Sequence, residues 1–289
     1  MIKAIATDLD GTLFYPKRKI RLLKSQNKKF LKKLIEENIE VVLVTGRNRI
    51  ILTKMERKLK SKINLSMIGC SGSFTVHKDE IINERPLNKD KIKKLLELID
   101  SDKDIKSTVF MGNWEGMLID PSHLSLMLVP FALLGLRAQG VYYEKSRFGR
   151  KRILKELANE ESKFYKVMPI FGFGDSTKKG MQKAKAWAEK MRGILGDEYE
   201  FFESGTAVEI VAKGTNKAKS LEELFQKYNI SKDEVLVVGD SGNDITMFNT
   251  FKNNSFCMKH AHKSIRKYAT HTVGRVYQLE KYLLPKEEK

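Results

Sequence analysis

Cysteine is nearly absent from this chain: there are two in 289 residues, Cys70 and Cys257. Two cysteines with no Cys-x-x-Cys spacing exclude a disulfide framework and a thiolate zinc site, and each sits among small or apolar neighbours, as buried filler would. Proline is scarce as well, at six, and no long polar tract or fixed-period repeat occurs, so a disordered chain is excluded. Long hydrophobic runs are also missing. The most apolar stretch, residues 124–136, is uncharged but interrupted by Pro130 and Gly135, and a bilayer span needs about 20 such residues. It reads as a segment of a buried core, with an interface between copies as the second choice, so a monomer or a homodimer is expected. The first residues run at once into Asp8 and Asp10, which is not the pattern of a secretory signal. A cytoplasmic protein with no membrane partner is the expectation. The five histidines, His77, His123, His260, His262 and His271, offer no three-ligand grouping and are each read as structural or exposed.

What the chain has in excess is positive charge: 54 Lys and Arg against 36 Asp and Glu, a formal net charge of +18. Such a balance suits a nucleic acid, an anionic surface or a phosphorylated small molecule. The lysines, however, are scattered through helical stretches such as Lys28, Lys29, Lys32 and Lys33, alternate with glutamates, and form no basic block interleaved with aromatics. Nucleic acid is therefore not the expected partner.

The hydrophobic pattern gives the architecture. Residues 2–7 read as a short buried strand ending at Asp8-Leu9-Asp10-Gly11; Phe30, Leu31, Leu34 and Ile35 recur at helical spacing; Val41-Val42-Leu43-Val44 is a second strand ending at Thr45. Near the other end, a helix over 216–228 precedes Val235-Leu236-Val237-Val238, which runs into Gly239-Asp240. Consecutive apolar residues imply that both strand faces are covered, hence an α/β fold with a parallel sheet flanked by helices. Asp8, Thr45 and Asp240 then lie beyond the carboxyl ends of strands, where open α/β sheets place their ligands. The middle of the chain reads differently, with helices over 90–99, 148–158 and 178–192, strands over 107–111 and 163–170, and alternation over 199–210. That grouping predicts an inserted α+β domain over 84–211, inside a core made of 1–83 and 212–289.

Two carboxylates one residue apart, Asp8 and Asp10, at the end of an apolar strand repel one another and want a cation or a proton between them. Phosphoryl transfer to water needs a nucleophile, cancellation of charge on the phosphoryl oxygens, and a group that gives and takes a proton. Asp240 within Gly239-Asp240-Ser241-Gly242-Asn243-Asp244 adds carboxylate suited to a hard ion; Thr45 can donate its hydroxyl to a phosphate oxygen, and Lys217 can set a positive charge beside it. Taken singly, each has an ordinary reading: a turn, a calcium-like loop, a strand terminus, one solvated lysine among many.

In this order, Asp8-Leu9-Asp10-Gly11-Thr12-Leu13, Thr45-Gly46-Arg47, Lys213-Gly214-Thr215-Asn216-Lys217 and Gly239-Asp240-Ser241-Gly242-Asn243-Asp244 resemble the four motifs of the haloacid dehalogenase-like (HAD) hydrolases. Within them the chain looks like the Cof-type phosphatases (type IIB), whose C2 cap is inserted between the second and third motifs. The resemblance implies a Rossmann-like core with an inserted α+β cap that selects the substrate, and a Mg2+-dependent phosphatase acting through an aspartyl-phosphate. It implies Asp8 as nucleophile and Asp10 as acid and base, with Thr45, Gly46, Lys217 and Asn243 holding the phosphoryl group. Magnesium would be bound by Asp8, Asp10 through its backbone carbonyl, Asp240 and Asp244, the last through water or by holding Lys217. The implied substrate is a small phosphorylated metabolite, first a sugar phosphate, then a phosphorylated cofactor such as pyridoxal phosphate or flavin mononucleotide; a phosphomutase and a non-catalytic binding protein are the other readings. The chain departs from the family pattern at Ala218, where glycine is usual, at Cys70-Ser71-Gly72-Ser73 in place of Asn-Gly-Ala, and at Met258-Lys259-His260-Ala261 in place of Met-x-Asn-Ala. Trp114, Asp120, Phe171, Phe173 and Asp175 are cap candidates for contact with the leaving group, against a plainer reading as cap packing or turns.

Overall fold

The structure is a computed structural model, and it describes residues 1–16, 23–59, 65–121, 145–172 and 177–283. The apolar run 124–136, Phe173, Asp175 and the charged tail 285–289 lie outside the described residues. The chain divides into two units, residues 1–84 with 216–289, and residues 85–215. No helix among the described residues is long and apolar enough to cross a membrane.

The first unit begins with β1 (Ala4–Thr7), β2 (Glu40–Val44), β3 (Ser66–Gly69), β4 (Phe74–His77) and β5 (Glu80–Glu84). The second unit contributes β6 (Ser107–Gly112), β7 (Met117–Asp120), β8 (Ser146–Phe148), β9 (Phe164–Ile170), β10 (Tyr199–Ser204) and β11 (Ala207–Ala212). The chain then returns to the first unit with β12 (Val235–Gly239), β13 (Ser255–Met258) and β14 (His271–Val273). The first unit's sheet has the order β14-β13-β12-β1-β2-β3-β4-β5. It is parallel from β14 to β3, as the unbroken apolar runs require, and turns antiparallel at β4 and β5. One face packs Ala4, Ala6, Val42, Val44 and Ile68 against Leu221, Leu224 and Phe225 of helix Lys217–Lys227 and against Met247 and Phe248. Ala218 belongs to this cluster, so the methyl that replaces the family's usual glycine is buried among apolar neighbours rather than crowding the helix start.

At the end of this sheet opposite Asp8, β2, β3 and β4 bring Glu40, Ser66 and His77 together. Ser66 Oγ donates to Glu40 Oε1 (2.5 Å) and lies 2.7 Å from His77 Nδ1, so His77 carries its proton on Nδ1 and donates to Ser66. His77 Nε2 is buried with no partner. Burial, reinforced by Lys78 and Lys227 and opposed by Glu40, holds the imidazole below its ordinary pKa. The unfolded chain therefore binds the proton more readily than the folded one, and this part of the stability is full above about pH 6.5 and declines as pH falls below it, with a one-proton ceiling of about 1.4 kcal/mol per pH unit. Urea titrations are expected to show wild type losing more stability between pH 7 and pH 5 than His77→Gln, which keeps a donor for Ser66 and takes up no proton; equal losses would remove His77 from the acid response.

The second unit is a sheet of order β10-β11-β9-β6-β7-β8 with helices Lys89–Asp100, Arg150–Ala158 and Thr177–Leu195. Its core joins Ile92, Leu95, Leu96, Ile99 and Trp187 to Phe110, Leu118, Phe164 and Ile210. Three of the cap candidates are built into this unit. Phe171 is buried against Trp187 (ring centroids 5.8 Å), Trp114 packs edge-on to Phe164 (4.7 Å), and buried Asp120 accepts from Arg150 (2.6 Å).

Candidate active site

Asp8 prolongs β1 by one residue, its N–H donating to the Val238 carbonyl of β12 (2.9 Å). The chain then folds back on itself, with Leu13 N–H on Asp8 O (3.2 Å) and Phe14 N–H on Leu9 O (2.9 Å). The tight return demands Gly11, whose φ is +83° and where a Cβ would stand 2.2 Å from Asp240 Oδ2. Glycine at this position is what lets the first and fourth motifs touch. Thr12 completes the contact, donating from Oγ1 to Asp240 Oδ1 at 2.8 Å.

Lys217 is the hub. It opens its helix just after the N-cap Asn216, whose side chain accepts from Lys219 N–H (2.9 Å). Its ammonium donates to Asp8 Oδ1 (2.8 Å), Asn243 Oδ1 (3.1 Å) and Asp244 Oδ1 (2.6 Å), which uses all three of its donors. The side chain is 1% exposed. The loop after β3 sets where this helix begins: Gly72, at φ +111°, leaves no room for a Cβ, which would lie 2.6 Å from Asn216 O, and its carbonyl accepts from Ser220 Oγ (2.9 Å). The departure Cys70-Ser71-Gly72-Ser73 thus has a mechanical role, and Cys70 (φ 46°) and Ser71 (φ 62°) hold left-handed backbone beside Gly72 to make the turn.

Asp244 joins the hub to the loop that carries it. While Oδ1 receives Lys217, Oδ2 accepts from the backbone N–H groups of Asp240 (2.9 Å) and Ser241 (3.0 Å). Asp8, Asp240 and Asp244 each offer an oxygen within 4.8 Å of the other two. Three carboxylates against one ammonium leave two negative charges unbalanced in a buried place. The titration follows: burial and the neighbouring Asp244 push Asp240 up to about 6, and burial raises Asp8 well above the ordinary range against the pull of Lys217. For Lys217 burial acts downward, and Asp244 and Asp8 more than offset it, so the ammonium stays charged. A divalent cation fits the all-oxygen donor set and the charge deficit, and its binding would oppose the upward push on Asp8 and Asp240.

Asp10 turns to a different partner. Arg47 forks onto it, Nε to Oδ2 at 2.5 Å and a terminal nitrogen to Oδ1 at 2.8 Å, so its side chain is outside the three-carboxylate cluster, although its charge still raises Asp240. Thr45 follows β2 at one residue beyond the level of Asp8; it is buried, and its hydroxyl accepts from Arg47 N–H at 3.2 Å. Gly46 bridges the two. Sequence reasoning did not assign roles to Arg47, Thr12 or Ser241, and it read His260 as structural or exposed. His260 places Nε2 3.7 Å from Asp240 Oδ2 and stacks on Tyr15 (centroids 3.7 Å, 14°), over which Arg275 lies at 4.8 Å. Burial and Arg275 hold His260 below its ordinary pKa, so it is neutral at pH 7. Its place in the Met258-Lys259-His260-Ala261 departure was the available signal.

The chain is similar to known proteins over most of its length. The sequence profile of a family described as haloacid dehalogenase-like hydrolase matches residues 5–278. Phosphatase YwpJ of Bacillus subtilis is 26% identical over 259 residues, 85% of this chain and 86% of that protein. The 5-amino-6-(5-phospho-D-ribitylamino)uracil phosphatase YwtE of the same organism is 23% identical over 262 residues, 86% of this chain and 84% of that protein. Among solved structures, a haloacid dehalogenase-like hydrolase from B. subtilis superposes with a TM-score of 0.78 at 20% identity, covering 98% of this chain and all of that one.

Proposed function

This chain belongs to the haloacid dehalogenase-like hydrolase family, and we propose that it is a magnesium-dependent phosphatase of a small phosphorylated metabolite, acting through an aspartyl-phosphate on Asp8. The observation that carries the proposal is the buried grouping of Lys217 with Asp8, Asn243 and Asp244, and of Asp240 beside them. A carboxylate held against an ammonium at the mouth of a sheet, with two charges still to be balanced, is arranged for a dication and a phosphoryl group rather than for fold stability.

In the first step an Asp8 oxygen bonds to phosphorus as the bond to the leaving oxygen breaks, and Asp10 gives that oxygen its proton. In the second, Asp10 takes a proton from water as the water oxygen displaces Asp8 and inorganic phosphate leaves. Lys217 and the Thr45 hydroxyl carry the phosphoryl oxygens, Gly46 lets the backbone approach them, and Asn243 keeps the ammonium aimed. Asp8, Asp240, Asp244 and the backbone carbonyl of Asp10 are the groups that would hold magnesium, which when bound supplies positive charge to the phosphoryl oxygens.

The substrate class favoured is a sugar phosphate. A phosphorylated ribityl chain is the second reading, drawn from the name of one relative; both present a phosphate on a polyhydroxylated carbon chain. Phosphate release from a panel of sugar phosphates, ribityl phosphates, flavin mononucleotide, pyridoxal phosphate and 5′-phosphorylated oligonucleotides, with magnesium and with chelator, tests the proposal. Turnover of a small metabolite that chelator removes and magnesium restores is the expected result. Turnover insensitive to chelator would overturn the metal assignment, and preference for the oligonucleotides would overturn the substrate class.

A further inference from the structure

We infer that Arg47 is the residue that positions Asp10 for proton transfer; the inference rests on the acid and base role proposed for Asp10. Three loops meet at Arg47. Its side chain grips the carboxylate of the loop after β1, its N–H donates to Thr45 Oγ1 after β2, and its carbonyl accepts from Cys70 N–H after β3 (3.0 Å). The backbone of Arg47 is thereby fixed on both sides, and the guanidinium is a fixed post.

Stability is a poor reason for this pair. The Asp10 side chain is 41% exposed, and an ion pair that open to water adds little to stability. Geometry is the better one. A short exposed carboxylate beside Gly11 would otherwise sample several rotamers, and a two-pronged planar fork admits one. The fork also survives the chemistry: one carboxylate oxygen can leave the guanidinium to hand a proton to the leaving oxygen while the other stays bound, so the carboxyl keeps its place as the proton goes and returns. Lysine has a single ammonium and cannot hold one oxygen in plane while releasing the other. The charge of Asp10 is felt at Asp240, so the gripped carboxylate lies within electrostatic reach of the buried cluster.

The test reads first-turnover release of the leaving group, which reports the first step alone, from two esters: p-nitrophenyl phosphate, whose leaving group departs without a proton, and glucose 6-phosphate, whose leaving alkoxide needs one. General acid catalysis is worth about 10²–10⁴-fold, and misplacing the acid is expected to cost a part of it. Arg47→Ala should slow glucose release in the first turnover by about 10–100-fold and p-nitrophenol release by less than about three-fold, while steady-state kcat falls on both esters, because both share the hydrolysis of the aspartyl-phosphate in which Asp10 is the base. Millimolar guanidinium should restore part of the loss where methylammonium does not, and Arg47→Lys should resemble Arg47→Ala. Equal losses in leaving-group release from both esters, or no guanidinium rescue, would reduce Arg47 to a structural part. Asp10→Asn separates the two claims at the first step: if it spares p-nitrophenol release and Arg47→Ala does not, the inference alone falls; if it slows leaving-group release from both esters alike, the acid role falls and the inference with it.

Discussion

Replacing Asp8 by Asn is expected to abolish turnover and to stabilise the protein in the absence of metal. Loss of an enzyme's nucleophile costs roughly 10⁵–10⁶-fold in kcat, and here the amide cannot form the acyl phosphate at all, so the residual rate should be that of contaminating or uncatalysed hydrolysis. The gain in stability has a separate cause. Asp8, Asp240 and Asp244 crowd one another with Lys217 as their shared cation, and burial has already raised Asp8 well above the ordinary carboxylate range. Asparagine keeps an oxygen for Lys217 and removes one of the like charges. In chelator the thermal midpoint should rise by a few degrees, about what 1 kcal/mol yields in a domain of this size, and the increment should shrink when magnesium is added, because the wild-type carboxylate then has its partner. A variant that is inactive and also less stable in chelator would show that Asp8 is held by its surroundings more favourably than the crowding of charges implies.

The second large effect has the opposite sign. Lys217→Met keeps most of the volume of a side chain that is 1% exposed and removes the only ammonium bonded to Asp8 and Asp244 among the described residues. Taking one partner from a buried ion pair costs about 3–5 kcal/mol because the other charge stays behind without compensation. The metal-free variant should therefore unfold at markedly lower urea than wild type, and the deficit should narrow at low pH as the stranded carboxylates take up protons. Magnesium should recover part of the stability and little of the turnover, since the phosphoryl group would still lack its cation. The double variant Asp8→Asn with Lys217→Met should lose less stability than the sum of the singles, the sign of a coupled pair. Strict additivity would mean that the 2.8 Å contact between Lys217 and Asp8 contributes nothing of its own.

Much of this was legible before the structure, and the boundary has physical causes. The strands at 41–44 and 235–238 announce themselves because burial on both faces leaves no polar residue in the run, and the order of the four acidic and basic motifs is a property of the sequence itself. The hairpin of β4 and β5 was not legible. Its two-residue turn, Lys78-Asp79, takes φ +48° and +67°, a conformation whose usual signal is Asn-Gly, and Phe74-Thr75-Val76-His77 is too short to display a period. Taken alone, Lys217 looked like any of the 54 cations in the chain, and only the order of the motifs singled it out, since nothing local distinguishes a lysine that meets three oxygens from one that meets water. The fork of Arg47 on Asp10 spans 37 positions; both residues stood in the motifs, and the pairing was invisible because it is made by two loops that only the sheet brings together. His260 was passed over for the same reason, its neighbour Tyr15 being far away along the chain.

The order of the strands has a consequence for synthesis. β1 is made before the strands it pairs with and lies in the middle of its sheet, between β2 and β12, and two contacts of the candidate active site join residues 209 and 228 positions apart. On the ribosome β1 must therefore wait, with one edge bare, until β12 has emerged, and that waiting edge is a place where a nascent chain meets chaperones or its own neighbours. A chain cut short before residue 244 would lack the carboxylate that, with Asp8, receives Lys217, and on the proposed mechanism it is expected to show no turnover rather than a reduced one.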